Sequence, residues 1–416
     1  MGHGVAIVGA GYAGMAAAVT LAAQRVPVTV FESGPVPGGR ARRVVSQGTE
    51  LDNGQHILVG AYKELLRLMR QVGVPDDALL RLPLDLRYFD GFRFKASFPG
   101  RLGLLSGLLA APLPLAEKFG AVLFLRTLQA RQFRLHEDIT VERLLEKHRQ
   151  QGKLGHYVWR PLCVSALNTP TDQASAQAFL VVLRDALFGG AGASDLLLPR
   201  VDLSRLFPEP ATRFVQSQGG EVRCGATVRD LEALRREFEA VIVAVGPHQL
   251  KALASAAVPA YSYQPIYTCY LQYPEDTRLA FPMLGLANGI VQWAFDRGAL
   301  TGERGRIACV ISAQGDHQQL DSEALSEICH QELAREIAGL PRPLWSRVIA
   351  EKRATISCTP GVEGLAIRIP GVTLAGDYTD PEYPPTLEAA VRSGVRAATE
   401  VVRQLQENPG TCSRTA

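Results

Sequence analysis

The stretch Val5-Ala6-Ile7-Val8-Gly9-Ala10-Gly11-Tyr12-Ala13-Gly14 constrains this chain more than any other part of it. Four small aliphatic residues read as a buried parallel strand, and the glycine pattern that follows turns it sharply into a helix. Gly9 permits the tight turn. Gly11 omits the Cβ that would block backbone approach to a pyrophosphate, and Gly14 lets the helix lie close on the strand. Phosphates would sit at the helix N-terminus, where unpaired N–H groups and the helix dipole both favour an anion. A helical run over residues 15–25 then leads to a second strand, Val28-Thr29-Val30-Phe31, which ends in Glu32. An acid there is placed to hydrogen-bond ribose hydroxyls and to repel a 2′-phosphate. Strand, turn, helix, strand and acid in this order separate the motif from a glycine-rich turn in some other α/β protein.

At 416 residues the chain exceeds what a single core fills, so two or three domains are expected. Lys and Arg total 44 against 41 for Asp and Glu, which gives no electrostatic case for nucleic acid. Seven scattered cysteines with no C-x-x-C pair suit reduced thiols rather than a disulfide framework or a structural zinc site, and no metal-ligand spacing occurs elsewhere. The first strand begins within five residues of Met1, so no signal peptide is expected. The charge-free part of residues 102–116 is broken by Pro112 and Pro114 and is too short to span a bilayer. The expectation is a cytoplasmic protein, with peripheral contact to the cytoplasmic membrane as the remaining membrane option.

After Glu32 comes a glycine and proline loop, Ser33-Gly34-Pro35-Val36-Pro37-Gly38-Gly39-Arg40-Ala41. It is either loop punctuation or a flat cradle, from which Arg40 could reach a pyrophosphate or the edge of a ring system. Polar residues then interrupt an apolar segment at Leu51-Asp52-Asn53-Gly54-Gln55-His56-Ile57. Buried amides and imidazoles need partners, so this is a satisfied polar network or the lining of a reaction cavity.

Residues 63–135 read as helical and apolar. Leu65, Leu66, Leu68, Met69 and Val72 form one amphipathic helix closed by Gly73 and Pro75. Residues 119–135, with Lys118 before them, mix apolar side chains with Arg126, Arg131 and Arg134. Such a basic amphipathic stretch could lie on a membrane surface and admit a lipid-like substrate; packing within a substrate domain is the reading the sequence favours.

From Glu221 the pattern returns to the nucleotide domain. Val222, Cys224, Ala226 and Val228 alternate as a strand would, residues 231–238 form a short helix, and residues 240–245 form a buried strand before Gly246. Residues 261–273 and 306–312 read as strands, and Tyr267, Tyr270, Phe281, Trp293 and Phe295 are candidates for the wall of an apolar pocket. No Ser/His/Asp set stands out. Near the end, residues 372–375 form a strand, Gly376-Asp377 a turn, and Pro384-Pro385-Thr386 lead into a helix. Its apolar positions are Leu387, Ala390, Val391, Gly394, Val395, Ala398 and Val402, with Thr386 as N-cap. That N-terminus aims N–H groups at an anionic acceptor.

The motifs G-A-G-Y-A-G, Glu32, G-G-R-A and D-N-G-Q-H together resemble the flavin-dependent amine oxidase and phytoene desaturase superfamily. The stretches at residues 159–170 and 196–208, with the same polar stretch and the tail, narrow the resemblance to the hydroxysqualene dehydroxylase family over nearly the whole chain. The resemblance implies an α/β fold: a Rossmann-type, glutathione-reductase-like FAD-binding domain with an inserted α+β substrate domain. FAD-domain pieces are expected at residues 1–72, 191–250 and 351–416, a helical substrate part at 73–190 and a β-rich part at 251–350. FAD would be held by Gly9, Gly11, Tyr12, Ala13, Gly14, Glu32, Gly39, Arg40, Asn53, Gly54, Gln55, Val228, Gly376, Asp377, Thr386 and Leu387. In the superfamily the backbone at Val228 meets the adenine, and a carboxylate matching Asp377 binds the ribityl or pyrophosphate region.

The implied reaction reduces hydroxysqualene, an allylic alcohol and long apolar isoprenoid, to squalene, in association with enzymes of squalene synthesis. Candidates for the acid that assists the leaving hydroxyl are His56, Tyr383 and Glu382. His56 can equally be a structural histidine bonded to backbone. Two other functions fit the same sequence. One is oxidative, a carotenoid or phytoene-type desaturase or an amine oxidase. The other is a protein that carries FAD without turnover and binds lipids or partner enzymes.

Overall fold

The computed structural model describes residues 4–98, 100–254, 258–361, 367, 369–380 and 383–407. Val5–Val8 is the centre of a five-stranded parallel sheet, flanked by Val28–Glu32 on one side and Ala240–Val243 on the other. Glu221–Cys224 and Thr373–Leu374 take the two edges. Every side chain of Val5–Val8 is buried, as a strand covered on both faces requires. The sheet is thus assembled from three widely separated pieces of chain.

Helix Tyr12–Ala23 follows the first strand and packs on helix Leu387–Glu407 at the other end of the chain. The first helix leaves no room for a side chain at two points, one against its own strand turn and one against the last helix. A Cβ on Gly14 would sit 1.9 Å from the Gly9 carbonyl oxygen, and a Cβ on Gly394 would sit 2.1 Å from that of Ala13. Thr386 caps the last helix, its Oγ1 accepting the Ala389 N–H at 3.2 Å. The buried face of that helix also includes Glu388, which hydrophobic spacing passes over. Its carboxylate accepts the Glu64 and Leu65 N–H groups, both at 3.0 Å, and so caps helix Lys63–Gln71 across the interface.

A second, antiparallel sheet has the order Met283–Gly285, Trp293–Asp296, Arg306–Ser312, Tyr263–Gln272, Trp345–Ile356. Its last strand runs past residue 350, so the sheet takes in residues up to Ile356. Helices Gly100–Ala110, Leu115–Ala130, Val141–Lys147, Arg160–Leu167 and Ala176–Phe188 build the other part of the inserted region around Phe124, Trp159 and Phe179. No helix among the described residues is long and apolar enough to cross a membrane.

Two local readings change. Residues 79–95, expected to be helical, form strands Leu79–Leu82, Asp85–Arg87 and Arg93–Lys95. The first of these pairs with Leu196–Pro199, more than a hundred residues away, and that pairing overrides local propensity. The strand expected to reach Val228 stops at Cys224: Gly225 takes φ +70°, and Ala226 makes one more bond, to Glu32 O at 2.8 Å, before the pairing ends.

Gly394→Ala is expected to force the first and last helices apart and to lower unfolding stability by about 1–3 kcal/mol, an overpacking cost. Urea unfolding followed by far-UV circular dichroism checks this; an unchanged midpoint would mean that the contact relaxes freely.

Candidate functional site

One cavity of about 1250 Å³ runs between the parallel sheet and the antiparallel sheet. Ligand pockets are commonly ~300–1,000 Å³, so there is room for a dinucleotide and more. Gly9, Gly11, Tyr12, Ala13 and Glu32 line it from the first strand–helix unit, and Gly39 and Arg40 from the following loop. Asn53, Gly54, Gln55 and His56 contribute from the polar stretch, and Val228, Gly376, Asp377, Tyr383, Thr386 and Leu387 from the later segments. Gly14 does not line the cavity; its role is the close packing described above. Glu382 lies outside the described residues.

Gly11 shows what the space is for. A Cβ there would meet no protein atom nearer than Gly39 Cα at 3.9 Å, and its backbone φ of −71° is open to any residue. Neither packing nor strain requires glycine, so the empty volume at the helix N-terminus is reserved for a ligand approaching the backbone. Gly39 closes over the same point: its own Cβ would lie 3.1 Å from Gly11 Cα, and the Gly38 N–H donates to Ala10 O at 2.8 Å.

The acids and bases of this end are already partnered. Glu32 accepts the Ala10 and Gly34 N–H groups, both at 2.7 Å, so it braces the glycine turn as well as facing the cavity. A carboxylate has about four acceptor positions, which leaves capacity for a ribose hydroxyl. Arg40 lines the cavity with its side chain anchored at one edge. Its guanidinium donates to Ala354 O at 2.7 Å and to Asp377 Oδ1 at 2.8 Å, and Asp377 is buried. Asn53 donates to Arg40 O at 2.9 Å and to Glu351 Oε2 at 3.0 Å, tying the polar stretch to the same cluster.

His56 is held with Nδ1 3.0 Å from Gly54 O. A carbonyl can only accept, so Nδ1 carries the proton and Nε2 is the free acceptor. Burial also pushes the imidazole below its usual pKa, so the ring is neutral near pH 7. That arrangement accepts a hydrogen bond and has no proton to donate. Tyr383 differs: its hydroxyl donates to Asp185 Oδ2 at 2.6 Å, and both residues line the cavity. Burial and then the Asp185 hydrogen bond raise the phenol pKa, while Arg392 lies over the ring at 4.4 Å. Asp185 escaped the sequence reading, although it is the one carboxylate in the apolar helix Ala176–Phe188.

Gln55 is oriented from behind. Buried Arg297 donates to its Oε1 at 2.9 Å, and the same guanidinium bonds Glu303 at 2.8 Å. Asp52 lies 3.5 Å from Arg297 without taking one of these hydrogen bonds. Burial therefore dominates at Asp52 and raises its carboxyl pKa to about 6, against the pull of Arg297, which stays charged on Glu303 and Gln55.

Of the five aromatic wall candidates, Trp293 and Phe295 line the cavity with Leu84, Leu86, Leu183 and Met283. Tyr270 is core, its hydroxyl donating to Asp52 O at 3.0 Å. Phe281 lies under the Arg87 guanidinium, and Tyr267 packs edge-on against His317. Strand alternation accounts for Tyr267, which faces the other side of the sheet, whereas Tyr270 shares the face of Phe295 through Ala308 and lies in the core beneath it.

The glycine cradle, the acid after the second strand and the capped helix N-terminus all fit a flavin dinucleotide. Sequence comparison decides the family: the model of flavin-containing amine oxidoreductases matches residues 12–402. The chain belongs to the flavin-containing amine oxidoreductase family. It is an FAD-dependent oxidoreductase with a Rossmann-type FAD domain. Among members of known name, it is 30% identical to a hydroxysqualene dehydroxylase of Rhodopseudomonas palustris, over 96% of this chain and 98% of that one. A zeta-carotene desaturase of Zea mays is 42% identical, but over 78 residues, 18% of this chain. In fold it is similar to reduced UDP-galactopyranose mutase, with a TM-score of 0.70 at 15% identity, covering 99% of this chain and 97% of that one.

Asp52 makes a testable statement about this family member. Its folded pKa of about 6 lies above the ordinary carboxylate value, so the fold binds that proton more tightly than the unfolded chain does. The stability it contributes is complete below about pH 4, falls as pH rises to about 6, and is constant above. Asp52→Asn lacks this slope, so the difference in Tm between wild type and variant should fall over that window and then level off. A difference that is flat from acid to neutral pH would show that the fold binds the Asp52 proton no more tightly than the unfolded chain does.

Proposed function

We propose that this chain reduces hydroxysqualene to squalene, an allylic C–O bond being replaced by C–H. The observation that carries the reading is the continuity of the cavity, which passes without a break from the glycine cradle to an apolar wall of Leu84, Leu86, Leu162, Leu183, Met283 and Phe295. A long isoprenoid with one hydroxyl matches such a wall, and the full-length similarity to the Rhodopseudomonas enzyme supports the choice of alcohol over polyene or amine.

The overall change is R–OH plus one hydride and one proton giving R–H plus water. Reduced FAD, when bound, supplies the hydride and is left oxidised. The chain itself supplies the proton and excludes water. Tyr383 and Asp185 are the proton-carrying pair. The Tyr383 O–H, positioned by Asp185 at 2.6 Å, gives its proton to the substrate hydroxyl, which departs as water, and the phenol regains a proton from solvent after product leaves. His56, a fixed acceptor, orients that hydroxyl instead of protonating it. Trp293, Phe295 and Leu183 keep the reacting carbon dry.

The test is anaerobic single turnover. Enzyme with pre-reduced FAD and hydroxysqualene should give squalene in step with return of the oxidised flavin spectrum, whereas oxidised enzyme should not be bleached by phytoene or a polyamine. Bleaching by either, with hydroxysqualene inert, would establish the oxidative alternatives. Flavin inert toward all three would establish a carrier without turnover. Tyr383→Phe should slow flavin reoxidation by about 10²–10³-fold, the range of general acid catalysis, with FAD retained. His56→Gln should change it by less than about tenfold, since an acceptor remains. The reverse ranking would make His56 the acid.

A further inference from the structure

We infer that the helix pair Gly100–Ala110 and Leu115–Ala130 is a docking surface for an anionic lipid bilayer. This goes beyond the reaction proposed above and does not depend on it. Among the described residues nine large apolar side chains are exposed, and six of them, Phe98, Leu105, Leu109, Leu115, Phe119 and Leu123, fall on this pair and its lead-in. Three are almost wholly in water: Leu109 is 73% exposed, Leu115 83% and Phe119 73%.

The spacing shows that this is a face and not scatter. Leu115, Phe119 and Leu123 follow at intervals of four along one side of their helix, while Ala121, Phe124, Leu125 and Leu128 on the other side are buried. On the neighbouring helix Leu105 and Leu109 are exposed, while Leu104 and Leu108 are buried. Each helix is therefore apolar on two sides, and the core accounts for one of them. A contiguous exposed apolar face of this kind marks an interaction surface.

Charge selects the partner. Residues 103–135 carry Lys118, Arg126, Arg131 and Arg134 against a single acid, Glu117. Glu117 is half-buried and accepts the Leu154 N–H at 3.1 Å, while Arg126, Arg131 and Arg134 are exposed along and just beyond the same helix. Acyl chains and anionic headgroups complement the apolar face and these cations at once. A second copy of this chain does so less well, because a two-fold contact would set the same cations against themselves. The Pro112 and Pro114 turn joins the two helices, which touch each other, and Lys118 Nζ ties them by donating to Leu109 O at 2.6 Å. Helix Gly100–Ala110 packs on helix Ala176–Phe188, which supplies Val182, Leu183 and Leu187 to the cavity wall. Docking on this face would bring the apolar end of the cavity to within one helix of the lipid.

The experiment is flotation of the full-length protein loaded with FAD. Vesicles of phosphatidylcholine containing phosphatidylglycerol should carry it upward; pure phosphatidylcholine should carry less, and added salt should weaken the anionic case. The variant Leu109→Ser/Leu115→Ser/Phe119→Ser should lose about tenfold or more in bound fraction while keeping its flavin spectrum. Arg126→Gln/Arg131→Gln should remove the preference for anionic vesicles. The inference is overturned if wild type stays at the bottom of the gradient with anionic vesicles, or if the triple variant floats as wild type does. It is equally overturned if wild type elutes as a dimer that the triple variant dissociates, with no vesicle binding by either form.

Discussion

The site depends on the close contact between the two ends of the chain. Gly14 against Gly9 sets the first helix on its strand, and Gly394 against Ala13 sets the last helix on the first. From there a series of hydrogen bonds transmits position. Ser393, next to Gly394, accepts the Gly376 N–H at 2.8 Å and so fixes the turn that carries Asp377. Asp377 holds Arg40, and Asn53 donates to the Arg40 carbonyl. Four segments distant in sequence are thus located relative to one helix–helix contact whose spacing only glycine permits. Glu388 ties the helix Lys63–Gln71 to the same frame.

That arrangement also decides how an anion is recognised. Arg40 lines the cavity beside the glycine turn, and its guanidinium is anchored on Asp377 and a backbone carbonyl. Glu32 is similarly occupied by two backbone N–H groups. The N–H groups where the first helix starts, beside the open space at Gly11, are placed to face an anion without any side chain between. Recognition by backbone explains why glycine spacing, rather than any cluster of charge, was the informative feature.

The division between what was legible and what was not follows sequence distance. Gly9, Gly11, Gly14, Glu32 and Thr386 act on neighbours within one strand–turn–helix unit or one helical turn, and residue type there states the geometry. Asp185, Arg297 and Glu351 act on Tyr383, Gln55 and Asn53 from 198 to 298 residues away, and no local pattern marks such pairs. The strand Leu79–Leu82 was hidden for the same reason, since its partner is Leu196–Pro199. His56 sits between the two cases. Its place in the cavity could be read from the polar stretch, but its role could not, because a bond to Gly54 O and burial determine where the proton sits.

The helices after Phe98 show a different limit. Periodicity distinguishes an amphipathic helix from a buried one by the presence of a polar side, and a helix with two apolar sides satisfies neither pattern cleanly. Membrane contact and domain packing were therefore posed as alternatives for residues 119–135, whereas the structure gives Leu115–Ala130 one face in the core and another in solvent. The two are compatible because they use different residues: Phe124 and Leu128 bury against Trp159 and its neighbours, while Phe119 and Leu123 face outward. Substituting the outward set leaves the inner packing intact, so surface binding and folding can vary independently on a single helix.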